Sequence, residues 1–141
     1  MAHTLPWSSG PAAGRSGDDI VVMASRLKLK SLVRVPRFFI LSGGVLRQVR
    51  QSQGAVGVTL RADPWRKTFW TLSAWENRAA LQSYIKTDPH FAVMAKLRPA
   101  MRESLFVSWQ QDAGQRPSWD EADRRLAEQE TAQRAAGEKQ S

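Results

Sequence analysis

The chain has 141 residues, of which 42% are hydrophobic, and it carries 21 lysines and arginines against 13 acids, for a formal net charge of +8. This length and apolar content predict one domain with a core of its own. Because the chain has no cysteine, the sequence excludes a disulfide framework, a cysteine-ligated zinc or iron–sulfur site and a thiol nucleophile.

The charge divides the chain into three segments. Residues 1–23 have a net charge of −1 and are rich in Gly, Ser and Pro, so we predict a disordered leader, with Met23 as a candidate second start. Residues 24–110 carry +11 and are predicted to form the folded domain. Residues 111–141 carry −2. They predict a linker and a partly ordered surface helix from Pro117 that frays after Ala136.

The leader does not have the pattern of a secretory signal. The sequence also contains no run of about 20 apolar residues, which a membrane span needs, so we predict a cytoplasmic protein. The C-terminal helix has a clear start signal, because Ser118 and Glu121 have the spacing of a capping box.

The predicted elements of the middle segment begin with a strand over residues 26–33, in which leucines alternate with lysines. A helix over 36–52 follows, although Gly43 and Gly44 each cost about 1 kcal/mol there relative to alanine. Strands over 55–61 and 66–75 are joined by a turn at 62–65. Helices over 76–86 and 89–101 come next, the second capped by Asp88 and Pro89. A strand over 103–109 closes the segment.

This β-α-β-β-α-α-β order predicts an α+β protein of the ferredoxin-like, split βαβ type, with a four-stranded antiparallel sheet and helices on one face. Strand alternation places a mostly apolar set with a few hydroxyls on the other face: Thr59, Phe69, Thr71, Ser73, Trp75, Phe106 and Ser108. Since water is a poor solvent for such a face, we predict a homodimer closed sheet to sheet, with these residues lining a small-molecule cavity. The hydroxyl residues also suit an ordinary strand, and Trp70 is predicted to be core.

His90 is the residue of the folded segment best suited to catalysis or to metal binding. Its place in the first turn of a helix favours the neutral ring, which is the form that binds a metal or haem iron. Met94 lies one turn later on the same face, and Tyr84 ends the preceding helix. A capping or packing role for His90 explains the same position.

The basic residues are dispersed over every predicted element, with no helix-turn-helix or RNA-recognition pattern beside them. This distribution favours a solvated basic surface. An acidic ligand or a polyanion is the alternative.

The segment from Phe69 to His90 resembles the dimeric ferredoxin-like (α+β barrel) superfamily of antibiotic biosynthesis monooxygenases, and within it the small uncharacterised proteins related to spheroidene monooxygenase. The matching features are Ser73-Ala-Trp75 at a strand end, Tyr84 near a helix end and His90 six residues later. The closing strand, residues 103–109, also matches, and the likeness spans about residues 24–110.

The resemblance implies a dimeric barrel with one cavity per subunit. In the haem-using branch it implies that His90 binds the haem iron. In the haem-degrading branch Tyr84 stands in place of the catalytic tryptophan and Met94 in place of the ligand histidine, which argues against that mechanism. In the cofactor-independent branch Trp75 matches the pocket tryptophan.

These observations predict a monooxygenase-type oxidoreductase that acts on a hydrophobic, polyketide- or carotenoid-like molecule. Trp75 and Tyr84 are the predicted catalytic residues. His90 and Met94 are the predicted cofactor-binding residues, with haem as the candidate cofactor and His90 as the ligand of its iron. The alternatives are a non-catalytic dimer that binds a small molecule or haem, and a basic nucleic-acid-associated protein, whose DNA binding would depend steeply on salt.

Overall fold

The structure, a computed structural model, describes residues 3–13, 19–87 and 90–140. Its strands are β1 (His3–Thr4), β2 (Ser8–Ser9), β3 (Ile20–Leu29), β4 (Ala55–Asp63), β5 (Thr68–Trp75) and β6 (Met101–Gln111). Its α-helices are α1 (Val35–Gln51), α2 (Arg78–Lys86), α3 (His90–Leu97) and α4 (Trp119–Gln140). Short 3-10 turns precede α1, follow β4 and follow α3.

The long strands form one antiparallel sheet in the order β4-β5-β3-β6, and β1 and β2 pair with the outer edge of β4. This is the strand order of the predicted ferredoxin-like fold, which is therefore confirmed. The predicted strand number is wrong, because β1 and β2 extend the four-stranded sheet to six strands in the described residues. β3 lies at the centre and pairs over its length with β5 and β6, so that Ser25 lies opposite both Thr71 and Phe106.

The first long strand begins earlier than predicted, at Ile20 instead of Arg26. It ends at Leu29 because Ser31 caps a 3-10 turn over Leu32–Arg34. Residues 20–23, which the sequence placed in a leader, thus belong to the central strand, and Val22 is fully buried there.

The described part of the predicted leader is also bound to the sheet. The amide of Leu5 donates to the carbonyl of Leu60 at 2.8 Å, and the amide of Ala12 donates to the carbonyl of Ala55 at 2.8 Å. The Trp7 ring lies so close to Gly57 that a Cβ there would be 2.4 Å from the indole. The expected disorder does not describe residues 3–13. Residues 1–2 and 14–18 of the predicted leader lie outside the described residues, as do Asp88 and Pro89, the predicted cap of α3.

Helix α4 is longer and better packed than predicted. The hydroxyl of Ser118 accepts the amide of Glu121 at 3.2 Å, as the capping box requires, and the helix continues past Ala136 to Gln140. Ala122 and Leu126 are fully buried against the sheet, in a cluster that includes Leu72. Instead of fraying at the surface, α4 covers the sheet face opposite α1–α3.

Arginines of the sheet bind acids of α4. The Arg61 guanidinium lies between the rings of Trp70 and Trp119, 4.3 and 4.5 Å from their centroids, and makes a two-point ion pair with Asp123. Arg26 joins β3 to β6 and α4, because its Nη2 atom donates to Glu103 at 2.8 Å and to Glu130 at 2.7 Å. Arg26 therefore lowers the pKa of both carboxyls.

The two faces of the sheet are covered differently from the prediction. Phe69, Thr71, Ser73 and Trp75, expected to face a second subunit, face α1–α3, whereas Leu72, Ala74 and Leu105 face α4. Alternation shows which residues share a face, but both faces are apolar here and the pattern does not tell which helices cover each. The helix α4 removes the exposed face on which the dimer argument rested, and the homodimer stays a prediction. Trp70, predicted to be core, is partly buried on the α4 face.

None of the helices in the described residues is both long enough and apolar enough to cross a membrane.

The burial of Leu126 makes α4 part of the domain's stability. We expect Leu126→Ala to lower the free energy of unfolding by about 2–5 kcal/mol, because the truncation leaves a cavity against the sheet. The exposed Glu128→Ala on the same helix is the matched control and should cost less than about 0.5 kcal/mol. Urea denaturation measures both, and equal small losses would mean that α4 is a loosely attached surface helix.

Candidate functional site

A cavity of about 350 Å³ lies between the sheet and the helices α1–α3. It forms where α1 passes over the sheet with small residues, Ser42 and Gly43, and a Cβ added at Gly43 would meet no atom within 4 Å. The walls are mostly apolar. The principal lining residues are Met23, Leu27, Phe38, Phe39, Val45, Leu46, Val49, Val58, Leu60, Phe69, Val93, Leu97 and Phe106. A mostly apolar lining is typical of small-molecule sites, and the volume of this cavity is at the lower end of their usual range.

The hydroxyl groups that the sheet contributes to the cavity wall are bound to neighbouring protein groups. Ser25 on β3 and Thr71 on β5 share a hydrogen bond across the two strands. The hydroxyl of Ser73 accepts the indole N–H of Trp75 at 3.0 Å. These bonds satisfy polar groups that would otherwise be costly inside an apolar cavity, so the sheet wall behaves as a largely non-polar surface.

Three predicted site residues form a continuous row of rings. The Trp75 and Tyr84 rings have centroids 4.8 Å apart, and the Tyr84 and His90 rings have centroids 4.7 Å apart. Trp75 is fully buried behind Tyr84 and does not line the cavity, whereas Tyr84 and His90 do. Burial raises the pKa of the Tyr84 phenol, so this group stays protonated at neutral pH.

The protonation of His90 follows from its contacts. Its Nδ1 atom lies 3.1 Å from the carbonyl oxygen of Ile85. Since a carbonyl only accepts, Nδ1 carries the proton, and Nε2 of the neutral ring keeps a free lone pair. Burial lowers the pKa of His90, and the bond to Ile85 opposes this only in part. The neutral form agrees with the sequence prediction, and burial is the largest cause of the lowered pKa.

Gln48 of α1 holds the segment between Tyr84 and His90 in place. Its amide nitrogen donates to the carbonyls of Tyr84 at 3.3 Å and Thr87 at 3.0 Å, and its amide oxygen accepts the backbone N–H of His90 at 2.7 Å. One side chain thus binds three backbone groups at the α2–α3 junction. No sequence pattern identifies Gln48, because a side chain that binds distant backbone has no local signal.

Most of the predicted pocket residues line the cavity: Phe69, Thr71, Ser73, Tyr84, His90, Met94 and Phe106. Thr59 lies outside it, and its hydroxyl donates to the carbonyl of Leu5 at 2.6 Å. Ser108 is also outside, exposed on β6. Strand alternation within each strand assigned both to the cavity face. β4 instead turns Thr59 to the opposite face, where it pairs with Leu72, and the cavity stops short of Ser108.

The residues around His90 provide only part of what a haem site needs. Nε2 of His90 has the lone pair that an iron requires, and Met94 lies one turn away in the same wall. The haem propionates also need cations, and the arginine in the described lining, Arg61, is already paired with Asp123. These residues do not make a complete haem site. The described residues also contain no group of three or more His, Asp or Glu side chains that could hold a metal ion.

Solved structures with the same fold identify the structural class. A protein from Nitrosomonas europaea that is provisionally named an antibiotic biosynthesis monooxygenase has a TM-score of 0.60 at 13% identity, over 65% of this chain and 89% of its own. SnoaB, a cofactor-independent oxygenase from Streptomyces nogalater, has a TM-score of 0.56 at 14% identity, over 72% and 98% of the two chains. This protein therefore has the fold of the antibiotic biosynthesis monooxygenases.

A further likeness is to a monooxygenase, also provisionally named, from Fusobacterium nucleatum, with a TM-score of 0.64 at 6% identity; the match covers 75% of this chain and half of that one. Residues 38–137 match the model of a domain of unknown function, DUF3291, and the chain belongs to that family. No curated protein sequence matches the chain. The narrower likeness to relatives of spheroidene monooxygenase stays a prediction.

The bonds of Gln48 predict a measurable contribution to stability. Gln48→Ala leaves the amide of His90 and two carbonyls without this partner, so we expect a loss of about 1–3 kcal/mol in unfolding free energy. Gln51→Ala, at the exposed end of the same helix, is the control and should change stability little. Equal effects of the two variants would contradict the assigned contacts.

The two central glycines of α1 provide a matched test of the cavity. Both positions have open space for a Cβ, but only Gly43 lines the cavity. Leucine favours the helix at either position by up to about 1 kcal/mol. We expect Gly43→Leu to weaken binding of the neutral fluorophore N-phenylnaphthylamine at least fivefold, and Gly44→Leu to leave it unchanged. Fluorescence titration measures both, and similar binding to the two variants would place the apolar site elsewhere.

Proposed function

We propose that this protein is a cofactor-free oxygenase that oxidises an aromatic, polyketide-like molecule with dioxygen, using His90 as the base. The observation that carries the proposal is the neutral His90 ring in the wall of an apolar cavity, with its proton held on Nδ1 by the Ile85 carbonyl. A general base must have a free lone pair at the operating pH and a place beside the substrate. Nε2 of His90 meets the first requirement, and the position of the ring supports the second.

The size and lining of the cavity support a choice of substrate class. A volume of about 350 Å³ suits a molecule of a few fused rings better than the long chain of a carotenoid. The phenyl rings of Phe38, Phe69 and Phe106 offer flat apolar surfaces for such a molecule. We therefore favour a polycyclic phenol in which an acidic CH₂ group shares a ring with a carbonyl and is conjugated with it through the fused aromatic rings.

The reaction balances without a further reductant. His90 Nε2 takes one proton from the CH₂ group, and the carbanion is stabilised because its charge is delocalised through the fused rings onto the carbonyl oxygen. The carbanion gives its electrons to dioxygen and a carbon–oxygen bond forms, which leaves a peroxide anion. The proton on His90 passes to the outer peroxide oxygen. Loss of water then leaves a ketone, so that CH₂ and O₂ become C=O and H₂O.

Tyr84 and Trp75 have different parts in this proposal. The protonated Tyr84 phenol lines the cavity and can donate to an oxyanion of the substrate. Trp75 does not reach the cavity and acts through Tyr84, whose ring it supports from behind. The sequence prediction that Trp75 is catalytic is therefore replaced by a positioning role.

Oxygen uptake with the anthrone dithranol tests the proposal. We expect His90→Ala and His90→Gln to reduce the rate by about 10²–10⁴-fold while fluorophore binding is retained. The exposed neighbour Phe91→Leu is the control. Because burial lowers the pKa of His90 and the base must be neutral, the wild-type rate should stay constant at neutral pH. It should fall in acid, through a pKa below the usual range of histidine.

Three outcomes would contradict the proposal. Tight binding of dithranol with no oxygen uptake would leave a binding protein. A rate equal in wild type and His90→Ala would remove the base. Turnover only after addition of haemin, with a Soret shift lost in His90→Ala, would replace the proposal with the haem-dependent mechanism.

A further inference from the structure

A second surface combines exposed apolar side chains with positive charge at one end of the sheet. Val33, Ile40 and Trp65 are 86%, 77% and 80% exposed. Lys30, Arg34 and Arg37 are also exposed. We call these six residues the mouth patch. Large apolar side chains this exposed are costly in water and mark an interaction site when they cluster.

The strand pairing brings the parts of the mouth patch together. The amide of Leu29 donates to the carbonyl of Lys67, and the amide of Lys30 donates to the carbonyl of Ala100, both at 2.9 Å. The end of β3, the β4–β5 turn that carries Trp65 and the start of β6 therefore lie at the same end of the sheet. The first turn of α1 begins there too: Val33 lies in the 3-10 turn that leads into α1, and Ile40 lies in the second turn of α1.

This patch borders the cavity. Phe39 and Pro64 line the cavity, and each is next in sequence to an apolar patch residue, Ile40 and Trp65 respectively. Phe39 is itself partly exposed and packs edge-on against Phe69 inside. The patch therefore adjoins the cavity wall at Phe39 and Pro64.

Charge selects among the partners that an apolar patch can bind. Residues 24–62 contain no acid, and Asp63 is buried in the turn, where it accepts the amide of Arg66. Two copies of this patch facing each other across a two-fold axis would bring like charges together, which disfavours self-association. Nucleic acid would satisfy the arginines but leave Val33 and Ile40 against phosphates. An anionic bilayer surface satisfies both, because its headgroups attract lysine and arginine and its interface accepts tryptophan and aliphatic side chains.

We propose that the mouth patch binds the surface of an anionic lipid bilayer, with Val33, Ile40 and Trp65 inserted among the headgroups and the cavity opening toward the lipid. Binding of this kind is reversible and lies in the interface plane. It does not depend on the proposed oxygenase activity, since the same surface would serve a binding protein for a lipid-soluble ligand.

Vesicle flotation with the full chain tests this inference. We expect binding to vesicles of equal parts phosphatidylcholine and phosphatidylglycerol, weakened by added salt, and little binding to phosphatidylcholine alone. Arg34→Gln with Arg37→Gln should weaken partitioning by about tenfold or more, given the usual contribution of each base near a charged membrane. Val33→Ser with Trp65→Ser should weaken it by about tenfold, while thermal unfolding stays unchanged because the side chains are exposed.

Matched controls lie away from the patch. Arg78→Gln removes a base near the opposite end of the sheet. Phe91→Ser removes an exposed phenyl ring in the first turn of α3. Both variants should bind vesicles like wild type. The proposal is overturned by equal binding to neutral and anionic vesicles, by no binding to either, or by equal losses in control and patch variants. Salt-dependent binding of duplex DNA that needs Arg34 and Arg37 but not Val33 and Trp65, without vesicle binding, would identify a nucleic-acid surface instead.

Discussion

The central constraint on this protein is a sheet that is apolar on both faces. Along β3, Val21 and Leu27 face one side while Val22 and Ala24 face the other, and all four are buried. Burial of both faces needs two helical layers. α1–α3 supply one and α4 supplies the other, so the C-terminal helix is as necessary to the core as the helices between the strands.

The cavity is a consequence of how the first of these layers packs. α1 lies over the sheet with Ser42 and Gly43, too small to fill the space that larger side chains would occupy. Gln48, one turn further, binds the backbone of the α2–α3 junction and so fixes the ring of His90 beside that space. Trp75 and Tyr84 support the ring from the sheet side. The site therefore combines an unfilled volume with a histidine held in one tautomer, which is the arrangement that proton transfer in an apolar environment requires.

Features set by residues near one another in sequence could be predicted, and features set by distant residues could not. Strand alternation and helical spacing are local, and they predicted the element order and the ferredoxin-like topology. The buried face of α4 was missed because it consists of Ala122 and a single leucine. Alanine lets a helix approach a sheet closely, but so few apolar residues give a weak periodic signal. The apolar run from Ile20 to Ala24 is visible in the sequence. It is too short for the apolar region of a signal peptide, but its length suits a strand. Gln48 had no signal, since its partners are 36 to 42 residues away.

The uneven charge of the chain has an explanation in the packing of α4. Residues 24–110 carry an excess of positive charge and the C-terminal segment a negative one, and the two meet where Asp123 binds Arg61 and Glu130 binds Arg26. A second subunit could reach this sheet face only if α4 left it, which would expose Leu126 and break both ion pairs. The complementary charges of sheet and helix therefore favour closure of the face within one chain. Any homodimer that keeps α4 in place must use a different surface, and the self-repelling mouth patch is not suited to supply it.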